Sequence, residues 1–186
     1  MGKLKCIATP LPGLHLVESL AANDARGKFQ RIFCVQEMAA IHPGLQISQA
    51  NLSLTLGRGS LRGLHYQMPP AAEWKLVRCL RGRVYDVVVD IRAGSRTFLQ
   101  WHAVELAAGD TRALFIPEGF AHGFQVLDAE AELLYLHGAP WSPGHEGGLR
   151  HDDPSLGITW PLPPSGLSDR DRAHPLLTPE FTGIAL

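Results

Sequence analysis

Glycine and proline interrupt the apolar residues of this chain from end to end, with 19 of the first and 14 of the second in 186 residues. Glycine adds backbone entropy cost to a helix and proline removes an amide hydrogen, so the rhythm of short segments is that of an antiparallel β fold. Strands are expected over residues 14–18, 47–54, 61–67, 76–80, 83–91, 98–106, 112–116, 123–127 and 132–137, enough to invite closure into a barrel. Along residues 84–91, Tyr85, Val87, Val89 and Ile91 share one mainly apolar face, and Asp86 and Asp90 fall on the other. The short glycine-containing link Leu80-Arg81-Gly82-Arg83 predicts that segments 76–80 and 83–91 pair as a hairpin.

One longer helix is expected, over residues 27–40, where Phe29, Ile32, Phe33, Val35, Met38 and Ala39 approach helical spacing. Prolines at 140, 143, 154, 161, 163 and 164 forbid a continuous central strand, so residues 140–186 should wrap over the barrel as loops and turns. Ser168-Asp169-Arg170-Asp171 can cap one short helix within that wrap. A chain of this length suits one domain, residues 1–186, with a core that needs neither disulfides nor structural metal.

A net charge of −1 supplies no general field for nucleic acid, so any recognition of phosphate must rest on local arginines. No apolar stretch approaches the length of a membrane span or follows Lys3 and Lys5 as a secretory signal would. The three cysteines, Cys6, Cys34 and Cys79, are odd in number and match no metal or redox spacing. They read as reduced thiols, and the cytoplasm is the expected compartment.

Two segments carry the chemistry: Leu61-Arg62-Gly63-Leu64-His65-Tyr66-Gln67 with Lys75 beyond it, and Ile116-Pro117-Glu118-Gly119-Phe120-Ala121-His122-Gly123-Phe124. Each sets a histidine close to glycine on a strand, where backbone can approach a ligand closely. If Leu61, Gly63 and His65 share one face, and Lys75, Val77 and Cys79 share one on a neighbouring strand, a base and a cation point into the same barrel. A hydrogen-bonded core histidine and a solvated lysine are the plain alternatives.

Tyr135, in an apolar run, is either structural or a phenolic acid that is protonated at neutral pH. Asp171 can accept from His65 or serve only as a helix cap. Arg26 and Arg62 each lie beside glycine, where a guanidinium can meet a phosphate, though both also suit a plain surface. His122 can meet substrate or metal, but Gln67 stands where a second histidine of a His-x-His pair would fall. A metal set would have to draw on Glu73 and His145.

These motifs, together with Asp24-Ala25-Arg26-Gly27, Gln49-Ala50-Asn51, residues 86–92, Asp152-Asp153-Pro154, Trp160-Pro161 and Leu167-Ser168-Asp169-Arg170-Asp171, resemble in this order the dTDP-4-dehydrorhamnose 3,5-epimerase family of cupins. The resemblance covers most of the chain. It implies an all-β cupin jelly-roll barrel with a few short peripheral helices, usually a homodimer that exchanges N-terminal strands. It further implies epimerisation of a nucleotide-linked 4-keto-6-deoxyhexose without metal or organic cofactor.

By the same resemblance His65 matches the base, Asp171 its carboxylate partner, Lys75 the enolate stabiliser and Tyr135 the acid on the opposite sugar face. Arg26, Phe29, Gln49, Asn51, Arg62 and His122 match substrate contacts. The chain departs from the family pattern at Gly138-Ala139-Pro140-Trp141, at Leu52 and at Glu73-Trp74. Two other readings are a metal-dependent cupin oxidoreductase using His65, Glu73 and His122, and a sugar-nucleotide binding module without catalysis.

Overall fold

A computed structural model describes residues 2–186. The first half of the chain contributes β1 (Leu4–Ala8), β2 (His15–Ser19), β3 (Ala22–Asp24), β4 (Gly27–Phe29), the helical turn α1 (Val35–Met38), β5 (Gln49–Leu56), β6 (Leu61–Gln67), β7 (Lys75–Arg81) and β8 (Arg83–Asp90). The second half contributes β9 (Trp101–Ala107), β10 (Arg112–Ile116), β11 (Phe120–Val126), β12 (Glu130–His137), β13 (Glu146–Gly148) and α2 (Asp169–Ala173). A six-stranded sheet runs β1-β2-β10-β7-β12-β5 and a five-stranded sheet runs β13-β6-β11-β8-β9. Every pairing within them is antiparallel, and the two sheets enclose one core as a jelly-roll barrel.

Period-two alternation sorts the side chains into three apolar layers. Leu114 and Ile116 of β10, Val77 and Cys79 of β7, Val84 and Val88 of β8, and Phe124 and Val126 of β11 fill the space between the sheets. The intervening residues Ala113, Phe115 and Leu76 pack outward against Met38, Leu45 and Trp74, where the segment containing α1 covers the larger sheet. On the smaller sheet Val87, Val89 and Ile91 pack outward against Leu149, Leu156 and Ile184, so the C-terminal wrap covers that face. The apolar face of β8 is therefore the outer one. Its aspartate face looks inward, and Asp86 and Asp90 are fully buried there with partners of their own.

Two sequence expectations are overturned. Segments β7 and β8 are not hairpin partners: β7 lies between β10 and β12, and β8 between β11 and β9 in the other sheet. Gly82 turns the corner between sheets at φ 69°, with its Cα packed against the Glu130 carbonyl where a Cβ would collide. A short glycine link thus fixes a sharp turn without fixing who pairs with whom.

The helix expected over residues 27–40 shrinks to Val35–Met38. Residues 27–29 instead pair with 22–24 in a two-stranded arm whose turn is closed by the Arg26 amide donating to Asp24 Oδ1 at 2.8 Å. Cys34, at the N-cap, offers the helix no side-chain hydrogen bond, which leaves a single turn. Among the described residues, no helix is long and apolar enough to cross a membrane.

Candidate active site

The positions of His65 and Arg62 follow from one irregularity in the pairing of β6 with β11. His65 pairs with His122 and Arg62 with Phe124, so Gly63 and Leu64 together oppose the single residue Gly123. This bulge shifts the alternation by one, and Arg62 and His65, three apart, both face inward. Gly63 sits at φ 106°, and a Cβ there would lie 2.6 Å from Gly123 Cα and from the His122 carbonyl oxygen. The glycines of the two motifs are thus one structural device, because the strands come together only where neither carries a side chain.

The barrel opens at one end into a cavity of ≈ 500 Å³ lined from both sheets. His65, Arg62, His122 and Phe124 come from the smaller sheet; Lys75, Tyr135, His137, Gln49, Asn51 and Ser53 come from the larger. His65 and Lys75 are therefore not on neighbouring strands. They stand on opposing sheets and face the same cavity from either side, since Lys75, Val77 and Cys79 do share the inner face of β7.

His65 Nε2 lies 2.7 Å from Asp171 Oδ1. Asp171 is brought there by the C-terminal wrap: Ser168 caps α2 by accepting from the Asp171 amide at 3.0 Å, and the carboxylate turns in to a buried site. Burial pushes its carboxyl up, but the hydrogen bond and charge of His65 and the Gly63 amide outweigh that and hold it below the ordinary carboxylate value. An ionised carboxylate only accepts, so Nε2 carries a hydrogen, and in the neutral ring Nδ1 is left with the lone pair.

Opposite, Lys75 Nζ lies 3.3 Å from Glu73 Oε1, whose other oxygen lies 2.8 Å from His137 Nδ1. Burial pushes Glu73 up, but His137 and Lys75 outweigh it and keep the group below its usual value. His137 Nδ1 then donates to Glu73, and Nε2 accepts from the Asn51 amide at 3.2 Å. The ammonium is thereby held by a fixed chain running Lys75, Glu73, His137, Asn51.

Tyr135 lies between two imidazoles, in edge contact with His122 at 6.0 Å between centroids and stacked on His137 at 5.8 Å. His122 Nε2 is held in turn by both oxygens of Asp86, at 2.9 and 3.0 Å. Burial, then the Asp86 charge, push the Tyr135 hydroxyl well above the ordinary phenol value. It keeps its proton at neutral pH.

At the mouth, Gln49 Oε1 accepts from the Trp141 amide at 3.0 Å, and the indole of Trp141 is 59% exposed. Two departures from the family pattern meet nearby, because the Trp74 ring occupies the space that a Cβ on Gly138 would need. Arg62 Nε donates to Thr55 Oγ1 at 2.8 Å while its side chain lines the cavity.

Arg26 and Phe29 are not brought to this cavity. They belong to the β3–β4 arm, where Arg26 pairs with Asp24 and Phe29 is 78% exposed. His65, Glu73 and His122 do not form a metal-ligating trio either, because their donor atoms are not gathered within 4.8 Å of one another. Sequence reasoning missed His137 and the pairing roles of Glu73 and Asp86. The parity of Lys75 with Glu73, and of Tyr135 with His137, was the available signal.

A carboxylate-backed imidazole facing an ammonium, with a protonated phenol in the same barrel cavity, defines a class: an acid–base enzyme equipped to move protons beside a carbonyl. Comparison with known proteins is specific. The family pattern described as dTDP-4-dehydrorhamnose 3,5-epimerase matches residues 8–179, and the chain belongs to that family.

A dTDP-4-dehydrorhamnose 3,5-epimerase from Mycolicibacterium smegmatis is 48% identical over 171 residues, covering 90% of this chain and 83% of the relative. The crystal structure of a dTDP-6-deoxy-D-glucose-3,5-epimerase from Legionella pneumophila in complex with dTDP-4-keto-L-rhamnose is similar at TM-score 0.87 and 39% identity, covering 93% of this chain and 92% of that one. A 3'-monoepimerase from Streptomyces bikiniensis in complex with dTDP-quinovose is similar at TM-score 0.83 and 33% identity, covering 91% and 85%.

Proposed function

We propose that this chain is an isomerase that epimerises a dTDP-linked 4-keto-6-deoxyhexose through an enolate. The observation that carries the reading is the pair His65–Asp171 on one sheet side of the cavity facing Lys75 and Tyr135 on the other. The C4 ketone acidifies the hydrogens at C3 and C5. His65 Nδ1 takes one, and Asp171 supports the imidazolium that results. Lys75 neutralises the charge that gathers on the C4 oxygen, its position set by Glu73. Tyr135 returns a proton from the far face, inverting the carbon with no change of oxidation state.

In this reading Arg62 meets the diphosphate and Gln49 and Asn51 the nucleoside, while Trp141 offers an aromatic face at the mouth. A base contributes about 10²–10⁴-fold, so the fixed ammonium and the positioning of the sugar supply most of the remainder. The chain acts as a homodimer in which the β3–β4 arm of one copy carries Arg26 and Phe29 to the cavity of the other. Support comes from the exposure of Phe29 on that arm and of Leu52, Leu54 and Leu56 along the outer face of edge strand β5. Three unpaired cysteines suit a reducing compartment such as the cytoplasm.

Incubation with dTDP-4-keto-6-deoxyglucose in deuterated water, read by NMR, tests the reading. Deuterium should enter at C3, at C5 or at both, and the labelled carbons define whether one or two centres are inverted. No solvent hydrogen in recovered sugar, despite binding, would reduce the protein to a binding module.

A further inference from the structure

His174 takes no part in the chemistry above, yet its ring lies 6.2 Å, centroid to centroid, from that of His65. Gly148 of β13 makes the room: the His174 ring fills the space that a Cβ at that position would need. Its Nε2 is buried without a hydrogen-bond partner, one of five such side-chain atoms among the described residues. An imidazole packed beside another imidazole and a buried carboxylate, with an unsatisfied nitrogen, is an incomplete polar cluster.

We propose that His65, Asp171 and His174 form a binding site for a zinc-like divalent transition-metal ion, and that occupancy switches the enzyme off. One nitrogen from each imidazole and one oxygen of Asp171 lie within 4.8 Å of one another, and among the described residues no other trio of His, Cys, Asp or Glu does so. Two imidazoles and a carboxylate are a donor set suited to zinc, with a fourth position left open. Zinc at about 2.0–2.2 Å from each donor spaces its ligands about 3.3 Å apart. The 2.7 Å contact of His65 with Asp171 therefore opens slightly and the His174 ring closes in.

The inhibition follows from the tautomer, and this part rests on the epimerase reading. A metal at His65 Nε2 displaces the hydrogen that Nε2 now shares with Asp171. The neutral ring keeps one hydrogen, which moves to Nδ1. No proton is lost overall, but the nitrogen assigned as base no longer has a lone pair to accept one. Asp171, engaged by the ion, no longer supports an imidazolium.

The test uses untagged full-length protein, stripped with EDTA and titrated with zinc chloride by calorimetry, alongside turnover with and without zinc. Wild type should bind one ion per chain and lose turnover as it binds. His174→Ala and His174→Asn should each bind at least tenfold more weakly and resist inhibition, with turnover in EDTA within twofold of wild type. His65→Ala should weaken zinc binding similarly. Failure of wild type to bind, or unchanged affinity in both the His174 and His65 variants, overturns the site. Calorimetry needs no turnover, so loss of the epimerase reading and loss of the metal site are separate results.

Discussion

Gly63 and Gly123 touch backbone to backbone across β6 and β11, and a Cβ on Gly123 would lie 2.6 Å from the Arg62 carbonyl oxygen. Gly63→Ala should therefore lose about 3 kcal/mol of stability, combining left-handed strain with steric overpacking. Urea unfolding measures it. Exchange activity should fall as well, because separation of the strands takes Arg62 and His65 off their common face. A loss of a few tenths of a kcal/mol would show that the bulge relaxes freely.

His65→Ala should abolish deuterium incorporation at every carbon that wild type labels, lowering kcat by about 10²–10⁴-fold. The circular dichroism spectrum should be unchanged, since the side chain lines the cavity instead of the core. Equal exchange in variant and wild type would remove His65 as the base.

Tyr135→Phe separates the two halves of the reaction. The ring stays between His122 and His137, while the hydroxyl that holds its proton is gone. Deuterium should still enter at a carbon reached by His65, but product of inverted configuration should fall by at least tenfold. Unimpaired inversion would assign the acid elsewhere.

Asp90 supplies a pH dependence remote from the cavity. Burial pushes its carboxyl up, but hydrogen bonds from Arg92, Ser95 and Thr97 outweigh this and hold it at about 2, against an ordinary 3.8. A depressed native value means that the stabilisation is complete above the unfolded value and is lost as pH falls toward the native one, between about 4 and 2. The amount is roughly 2 kcal/mol. Denaturant unfolding of wild type and Asp90→Asn should show a stability gap that narrows by that amount on acidification from pH 5 to pH 2. A gap of constant size would mean that native Asp90 is not held ionised.

Strand positions were largely legible because local alternation encodes them: β6 and β10 fall where Leu61–Gln67 and Arg112–Ile116 are bounded by turn residues. Strand β1 lies outside the expected set, since its five residues, with Leu4 and Cys6 packing toward the outer layer, are too few to stand out by alternation alone. Partner choice is not a local property, so the assignment of β7 and β8 to different sheets could not be read from the link between them.

The site shows the same division. Lys75, Tyr135 and His122 follow simple parity, whereas Arg62 and His65 share a face only through a bulge formed with a distant strand. The pairing of His65 with Asp171 spans 106 positions, so the residues alone left it open beside helix capping, and the family resemblance favoured it. Gly138 and Trp74, separate departures from the family pattern in sequence, are a single fit of ring into vacant space in three dimensions.

Asp171 reaches His65 from the wrap that follows the last strand of both sheets. A ribosome therefore makes the whole barrel before it makes the carboxylate that the imidazole leans on. In the proposed mechanism a nascent chain that has already folded its cavity still lacks the group that supports its base, and becomes competent only once the wrap is laid over it.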